Sequence, residues 1–377
     1  MSTVSVIVPC HGHGRHLAGC VESVLGQAGV DVRVLVIDDA SRDDTAAIAA
    51  GLAAGDGRVE SRRHEVDRGR VATYNEGLGW STGDYTLLLP ADGLLTPGAL
   101  ARSSRLMDDH PEVAMVYGRQ VLFRPDEPPP SPREPGPNRG PRVIPGSELI
   151  ESICAAGANP VAIPTVLVRT STQGELGGYR AELPRAADLE LWLRFASRAS
   201  VGVVAADQAL KRVHSRDMPP AFLATTLGDI RQRRSAFEAF FAARGDLVAG
   251  RARLERRARE GLASEAFWAG SLAFEAGDLP RSEGLIAFAL ETDPALRTRA
   301  EWSRYRWKRR MGPRVWNAVG PLLDRARRAR RPRPPAGPAR ADAAPPAPGQ
   351  PSRRPEVPAV PARGPSPRPI QPARTPG

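Results

Sequence analysis

Through the first third of the chain, apolar residues come in short unbroken runs separated by longer stretches with helical spacing. Val4-Ser5-Val6-Ile7-Val8-Pro9 is a β-branched run of central-strand type, closed by Pro9. A polar loop rich in Gly and His follows, Cys10 to His16. Leu17, Cys20, Val21, Val24 and Leu25 then recur on one helical face. Val32 to Ile37 is a second strand and ends in Asp38-Asp39-Ala40-Ser41-Arg42-Asp43-Asp44-Thr45; a helix runs through Ala46 to Ala54. Val59 to Val66 reads as a weaker third strand, and Gly69 to Gly79 as a helix that carries Asn75. The run from Tyr85 stops at Pro90, and one carboxylate, Asp92, follows. Pro97 sits where a helix to Asp109 begins, and Val113 to Phe123 is again a strand. Strand and helix alternating at this spacing predict parallel strands joined by crossover helices.

Loops at the C-terminal edge of such a sheet face one crevice. Asp38, Asp39 and Asp92 are therefore expected to converge despite their separation in sequence. Carboxylates gathered there repel one another unless a cation neutralises them. Oxygen ligands of this kind suit Mg²⁺ or Mn²⁺, which would also bridge the phosphates of a nucleotide.

Beyond Phe123 the pattern changes. Arg124 to Pro145 is rich in Pro and Gly and holds no regular element; it reads equally as a functional loop on the acceptor side or as a tolerated insertion. Ser147 is placed to cap a helix to Ala155. Ile163 to Val168 reads as a strand, and Gly174 to Tyr179 as a glycine-rich turn. Leu189, Trp192, Leu193 and Ala196 form one apolar helical face, with Asp188 at its start. Taken alone, Asp188 is a helix cap favoured by the dipole. Val201 to Val204 is a strand that leads to Arg212, Val213 and His214. Phe222 to Glu291 is helical in spacing, and Glu265 to Pro294 resembles one tetratricopeptide-like hairpin, too few units for an array. From Arg297 to Arg331, basic residues interleave with Trp302, Tyr305, Trp307 and Trp316. That suits an amphipathic helix on an anionic membrane face, or an ordinary packed helix with a solvated basic side.

Charge sharpens this division. The chain carries a formal charge of +11. Arg325 to Gly377 contains 12 Arg against only Asp342 and Glu356, so most of that charge lies in the tail. The rest is close to neutral, which argues against a cationic nucleic-acid-binding body. Cys10, Cys20 and Cys154 form no pair motif, and no apolar run reaches membrane-spanning length. With no signal-peptide pattern after Met1, a reducing cytoplasm is the expected setting.

The blocks VSVIVPCHG, VLVIDDASRDDT and NEGLGWSTGDYTLLLPADGLLTPGAL resemble, in content and order, the family 2 glycosyltransferases, over roughly residues 3 to 215. The resemblance implies a GT-A-type α/β fold. It would comprise a Rossmann-like, mostly parallel sheet flanked by helices; spacing and composition add a helical C-terminal region and a disordered Pro/Arg-rich tail after it. The expected divisions are a catalytic domain over 1–220, a helical region over 221–296, a basic helix over 297–331 and the tail over 332–377. It further implies that Asp38 and Asp39 hold the nucleotide, with Asp39 the base contact, and that Pro9, His11, Asn75 and Asp92 complete the substrate site. The family's Asp-x-Asp motif falls on Pro90-Ala91-Asp92, so Pro90 replaces its first acid. Asp92 is the implied Mg²⁺ or Mn²⁺ ligand, joined by His214. The family's Glu-Asp pair is Ala187-Asp188 here, which leaves Asp188 as the implied catalytic base. The implied function is an inverting transfer from a nucleotide-diphospho-sugar to the hydroxyl of a glycan or lipid-linked acceptor, in cell-envelope glycan or polysaccharide synthesis. The expected location is cytoplasmic, peripheral on the inner membrane face, with no nucleic-acid partner. Pro90 and Ala187 keep open a second reading, a non-catalytic sugar-nucleotide- or partner-binding member of the same fold.

Overall fold

β-branched side chains fit a pleated sheet buried on both faces. The runs rich in them form the centre of a nine-stranded sheet in the computed structural model. The structure describes residues 1–124, 127–133, 140–213 and 226–330, with side chains as far as Asn317. The strands are β1 (Thr3–Cys10), β2 (Asp31–Asp38), β3 (Val59–Arg63), β4 (Tyr85–Leu88), β5 (Gly93–Leu95), β6 (Val113–Phe123), β7 (Arg142–Ile144), β8 (Leu167–Arg169) and β9 (Ser200–Arg212). Their order is β3-β2-β1-β4-β8-β6-β9-β5, with β7 also on β9. β3, β2, β1 and β4 run parallel, as do β6 and β9. β8 is antiparallel to β4 and β6, and β5 and β7 are antiparallel to β9. By length the sheet is mostly parallel, as the alternation predicts.

Helices α1 (Gly14–Leu25), α2 (Thr45–Gly55), α3 (Arg70–Trp80) and α4 (Ala99–Asp109) follow the first strands. After them come α5 (Gly146–Ala156), α6 (Thr170–Leu176) and α7 (Ala187–Arg198). Several local expectations change: strand β7 falls inside the Arg124–Pro145 stretch expected to hold no regular element, and Ile163–Thr165 is a 3-10 turn, so that only Leu167–Arg169 joins the sheet. Pro145, not Ser147, precedes the first turn of α5. The stretch from Gly174 is helical until Leu176, and the turn proper begins at Gly177, whose φ of +79° suits glycine.

Alternating strand positions build two apolar layers. Val6, Val8, Val34, Val36, Val116 and Leu167 pack under α1 and α4. Met115, Val168 and Val201 face the other way, onto α5 and α7. That second layer continues without a break into α8 (Leu227–Arg244), α9 (Arg251–Glu275) and α10 (Leu279–Thr292), through Phe237, Phe240, Leu262, Phe267 and Leu285.

The join depends on two glycines. A Cβ at Gly261 of α9 would lie 2.6 Å from the Gly157 nitrogen. A Cβ at Gly157 would lie 2.3 Å from the Leu262 nitrogen, and Gly157 sits at φ +63°. Both neighbours are backbone and cannot swing aside. Gly261→Ala is therefore expected to destabilise by about 1–3 kcal/mol. A thermal melt unchanged from wild type would remove this contact from the argument.

The last helix, α11 (Ala300–Arg330), kinks at Gly312 (φ 77°). Tyr305, Lys308 and Trp316 turn into the protein. The Lys308 ammonium donates to the Ser271 carbonyl and hydroxyl, both at 2.7 Å, and pairs with Glu275. It lies between the rings of Phe274 and Trp316. Trp307 and Val315 stay exposed beside Arg306, Arg310 and Arg314. Among the described residues no helix is long and apolar enough to cross a membrane.

Candidate active site

Three strand ends are tied together at the C-terminal edge of the parallel half. The Leu89 N–H donates to the Ile7 carbonyl and Ala91 N–H to that of Pro9. Asp39 N–H donates to the Cys10 carbonyl at 2.8 Å. Beyond these ends opens a cavity of about 540 Å³, lined among others by Pro9, His11, Asp39, Asp92 and Asp188. Five of the expected site residues thus share one space. Its size is that of a typical small-ligand site.

Asp39 is the most constrained of them. Its Oδ1 accepts from the Arg68 N–H (2.8 Å) and contacts His64 Nδ1 (2.7 Å). These bonds hold the carboxyl below the ordinary range despite its burial. His11 Nδ1 contacts the Asp39 carbonyl at 2.7 Å. The next residue, Ala40, sits at φ 56°, a strained conformation for a residue with a side chain. That strain turns the chain sharply out of β2 and presents Asp39 to the cavity.

Asp38 does not line the cavity. It is fully buried, its Oδ1 accepts from the Ser41 N–H, and Arg63 Nε stands 3.4 Å from Oδ2. Asn75 does not line it either. Its amide donates to the Tyr179 carbonyl (2.8 Å) and its oxygen accepts from the Tyr179 N–H (2.7 Å). A Cβ at Gly178 would lie 2.3 Å from that oxygen, so the turn needs glycine there. Asn75 therefore couples α3 to the loop before α7. His214 lies outside the described residues.

Asp188 is half-buried in the first turn of α7. Asn159 donates to its Oδ2 at 2.9 Å. Loss of water around it pushes its carboxyl above the ordinary range; the Leu189 N–H, Asn159 and the Arg70 charge oppose this without cancelling it. Asp92 is nearly buried, and the Arg212 N–H of β9 donates to its carbonyl. Among the described residues no group of three His, Cys, Asp or Glu side chains is placed to hold a metal. Pro90 lines the cavity without offering a donor, so one carboxylate, Asp92, stands where a hard ion takes several oxygens.

Arg70, Tyr74 and Lys211 also line the cavity and were not singled out in the sequence. Arg70 and Tyr74 are one turn apart on α3, directly after Gly69, so helical spacing could have placed both on the crevice face. Lys211 is opposite Gly93 in the β5–β9 pairing, and nothing local in the sequence announces that partner.

A twisted, mostly parallel sheet with an acid-lined crevice beyond its strand ends is the architecture of GT-A-type proteins. The solved structure of S. aureus TarS 1–349 in complex with UDP-GlcNAc superposes with a TM-score of 0.55 at 15% identity, over 77% of this chain and 81% of that one. Residues 5–157 match the model of glycosyl transferase family 2. The putative glycosyltransferase EpsE of Bacillus subtilis is 30% identical over 195 residues, which is 51% of this chain and 66% of EpsE. An uncharacterized protein of Mycobacterium tuberculosis is 29% identical over 227 residues, 55% of this chain and 66% of that protein. The chain thus spans just under two thirds of the length of these relatives.

Proposed function

We propose that this protein is an inverting glycosyltransferase that moves a sugar from a nucleotide-diphospho-sugar to an acceptor hydroxyl in cell-envelope polysaccharide or glycan synthesis. The observation that carries the reading is the meeting of Asp39, Asp92 and Asp188 in one cavity, from three separate stretches of chain. Asp39, held ionised, accepts hydrogen bonds from the nucleotide. Asp188 accepts the acceptor's proton as its oxygen attacks the anomeric carbon. Attack from the face opposite the departing diphosphate inverts that carbon. Charge that builds on the leaving group needs positive neighbours, and Arg70 and Lys211 line the same space.

GT-A enzymes commonly use a divalent metal for that purpose. In this chain Asp92 is the residue that would meet Mg²⁺ or Mn²⁺, and the ion would supply charge to the diphosphate. The described donors fall short of a full site. The acceptor is read as a glycan or lipid-linked sugar. An anionic membrane face would meet the exposed Trp307 and Val315 with the arginines around them.

Calorimetry with UDP and GDP, and with their sugar conjugates, tests the donor half of this reading. At least one is expected to bind the wild type, and Asp39→Ala to weaken it by about tenfold or more, the loss of a charged hydrogen bond. A protein that binds none, or an Asp39→Ala variant of equal affinity, would sink the donor site.

A further inference from the structure

Behind the cavity lies a second chain of ionisable groups. His64 follows the last residue of β3, and its N–H donates to the Asp38 carbonyl. Its ring sits between two carboxylates. Nδ1 is 2.7 Å from Asp39 Oδ1, and Nε2 is 2.9 Å from Glu76 Oε2 on α3. The ring is buried, and so is Asp39. Carboxylates only accept hydrogen bonds, so two such contacts require an N–H on both ring nitrogens. The geometry therefore calls for an imidazolium.

Further charges face this group from each neighbouring segment. On the β2 side stand Asp38 and Asp39. From β3, Arg62 reaches Glu76 at 3.6 Å and Arg63 reaches Asp38. From the loop before α3, Arg68 donates to Glu76 Oε2 at 2.9 Å, and the Asp67 carboxyl stands near that of Asp39. Arg68 also gives its N–H to the oxygen of Asp39 that His64 holds.

We propose that charged His64 is the positioning residue of the nucleotide site: clamped by Glu76, it fixes Asp39 in the orientation that receives the nucleotide. This deepens the reading above and rests on it. His64 touches no ligand; it acts through Asp39. Without the charge, one of its two carboxylate contacts becomes a lone-pair repulsion, and the clamp between Asp39 and Glu76 opens at one end.

The two carboxylates raise the ring above the ordinary histidine range, against the effect of its burial. A raised pKa means that the clamp is complete at low pH and is released as pH rises through the folded value. Nucleotide affinity should then fall on the alkaline side.

The test is titration calorimetry of wild type and His64→Gln with UDP and GDP, from about pH 6 to about pH 9. Wild-type affinity should drop about tenfold across the range, the loss of one charge-assisted bond. His64→Gln should be weak throughout and lack the extra alkaline drop. Titration of the ligand's own groups is common to both proteins and cancels in the comparison. A His64→Gln curve parallel to that of wild type would overturn the proposal while leaving the donor site intact. Wild type binding neither nucleotide at any pH would overturn the donor reading and this inference together. Should His64→Gln fail to fold, the wild-type ring is followed by NMR with and without the nucleotide that binds. An affinity that falls as the ring loses its proton supports the clamp; one that does not overturns it.

Discussion

Asp188→Asn should lower sugar transfer by about 10²–10⁴-fold while nucleoside diphosphate binding is unchanged, because a positioned base contributes that much and touches only the acceptor side. The substitution keeps the shape of the side chain. The amide oxygen can still accept from Asn159 and from the Leu189 N–H, so α7 should start as before. What disappears is the capacity to take a proton. The wild-type pH profile supplies an independent check. Burial raises the Asp188 carboxyl, so it protonates at a higher pH than an exposed Asp. Protonated, it cannot act as base, and kcat should therefore fall on the acid side at a pH above the ordinary Asp range. Turnover retained in Asp188→Asn would sink the assignment. A wild type that binds nucleotide but transfers from no donor would favour the non-catalytic reading that Ala187 and Pro90 keep open.

The parallel half of the sheet was legible because its signal is local. A β-branched run and the acids that end it are neighbours in sequence, and the rule placing strand ends on one crevice does the rest. That is why Asp39 and Asp92 meet. Asp188 joins them although its own neighbourhood describes only a helix cap. What the sequence concealed is partnership across distance. Asn75 looked like a ligand contact, yet both ends of its amide are taken by Tyr179, more than 100 positions away. Tyr305 and Trp316 belong to a stretch whose spacing suits a membrane-facing helix and a packed one equally, and the packing of α11 on α9 turns them inward. His64 carries no pattern at all: a polar residue at the end of a weak strand acquires meaning only from Asp39 and Glu76. Glu190 and Arg194 were hidden for a related reason. Charged residues beside an apolar helical face read as solvated, and α7 buries both.

Their burial sets up the largest expected loss of stability. Glu190 is wholly buried; its Oε1 accepts from Arg180 Nε at 3.0 Å and its Oε2 from Arg194 Nε at 2.9 Å. Arg194 also donates to the carbonyls of Leu176, Gly177 and Gly178. It therefore holds the turn that presents Tyr179 to Asn75. Arg194→Met keeps the stem but leaves Glu190 half-paired and those carbonyls without a donor. A cost of about 3–5 kcal/mol is expected, the usual penalty for stranding one partner of a buried ion pair. Glu190→Leu with Arg194→Met removes the stranded charge as well, so the double variant should be more stable than Arg194→Met alone. It should not reach wild type, since the turn still lacks its donor. Tyr179 packs edge-on to Tyr74 at 5.3 Å, and Tyr74 lines the cavity with Asp188. A loosened turn should therefore lower transfer too, even at temperatures where the variant stays folded. Denaturant melts of the three proteins decide the matter. A single variant as stable as wild type, or a double variant less stable than Arg194→Met, would show that this pair does not hold the turn.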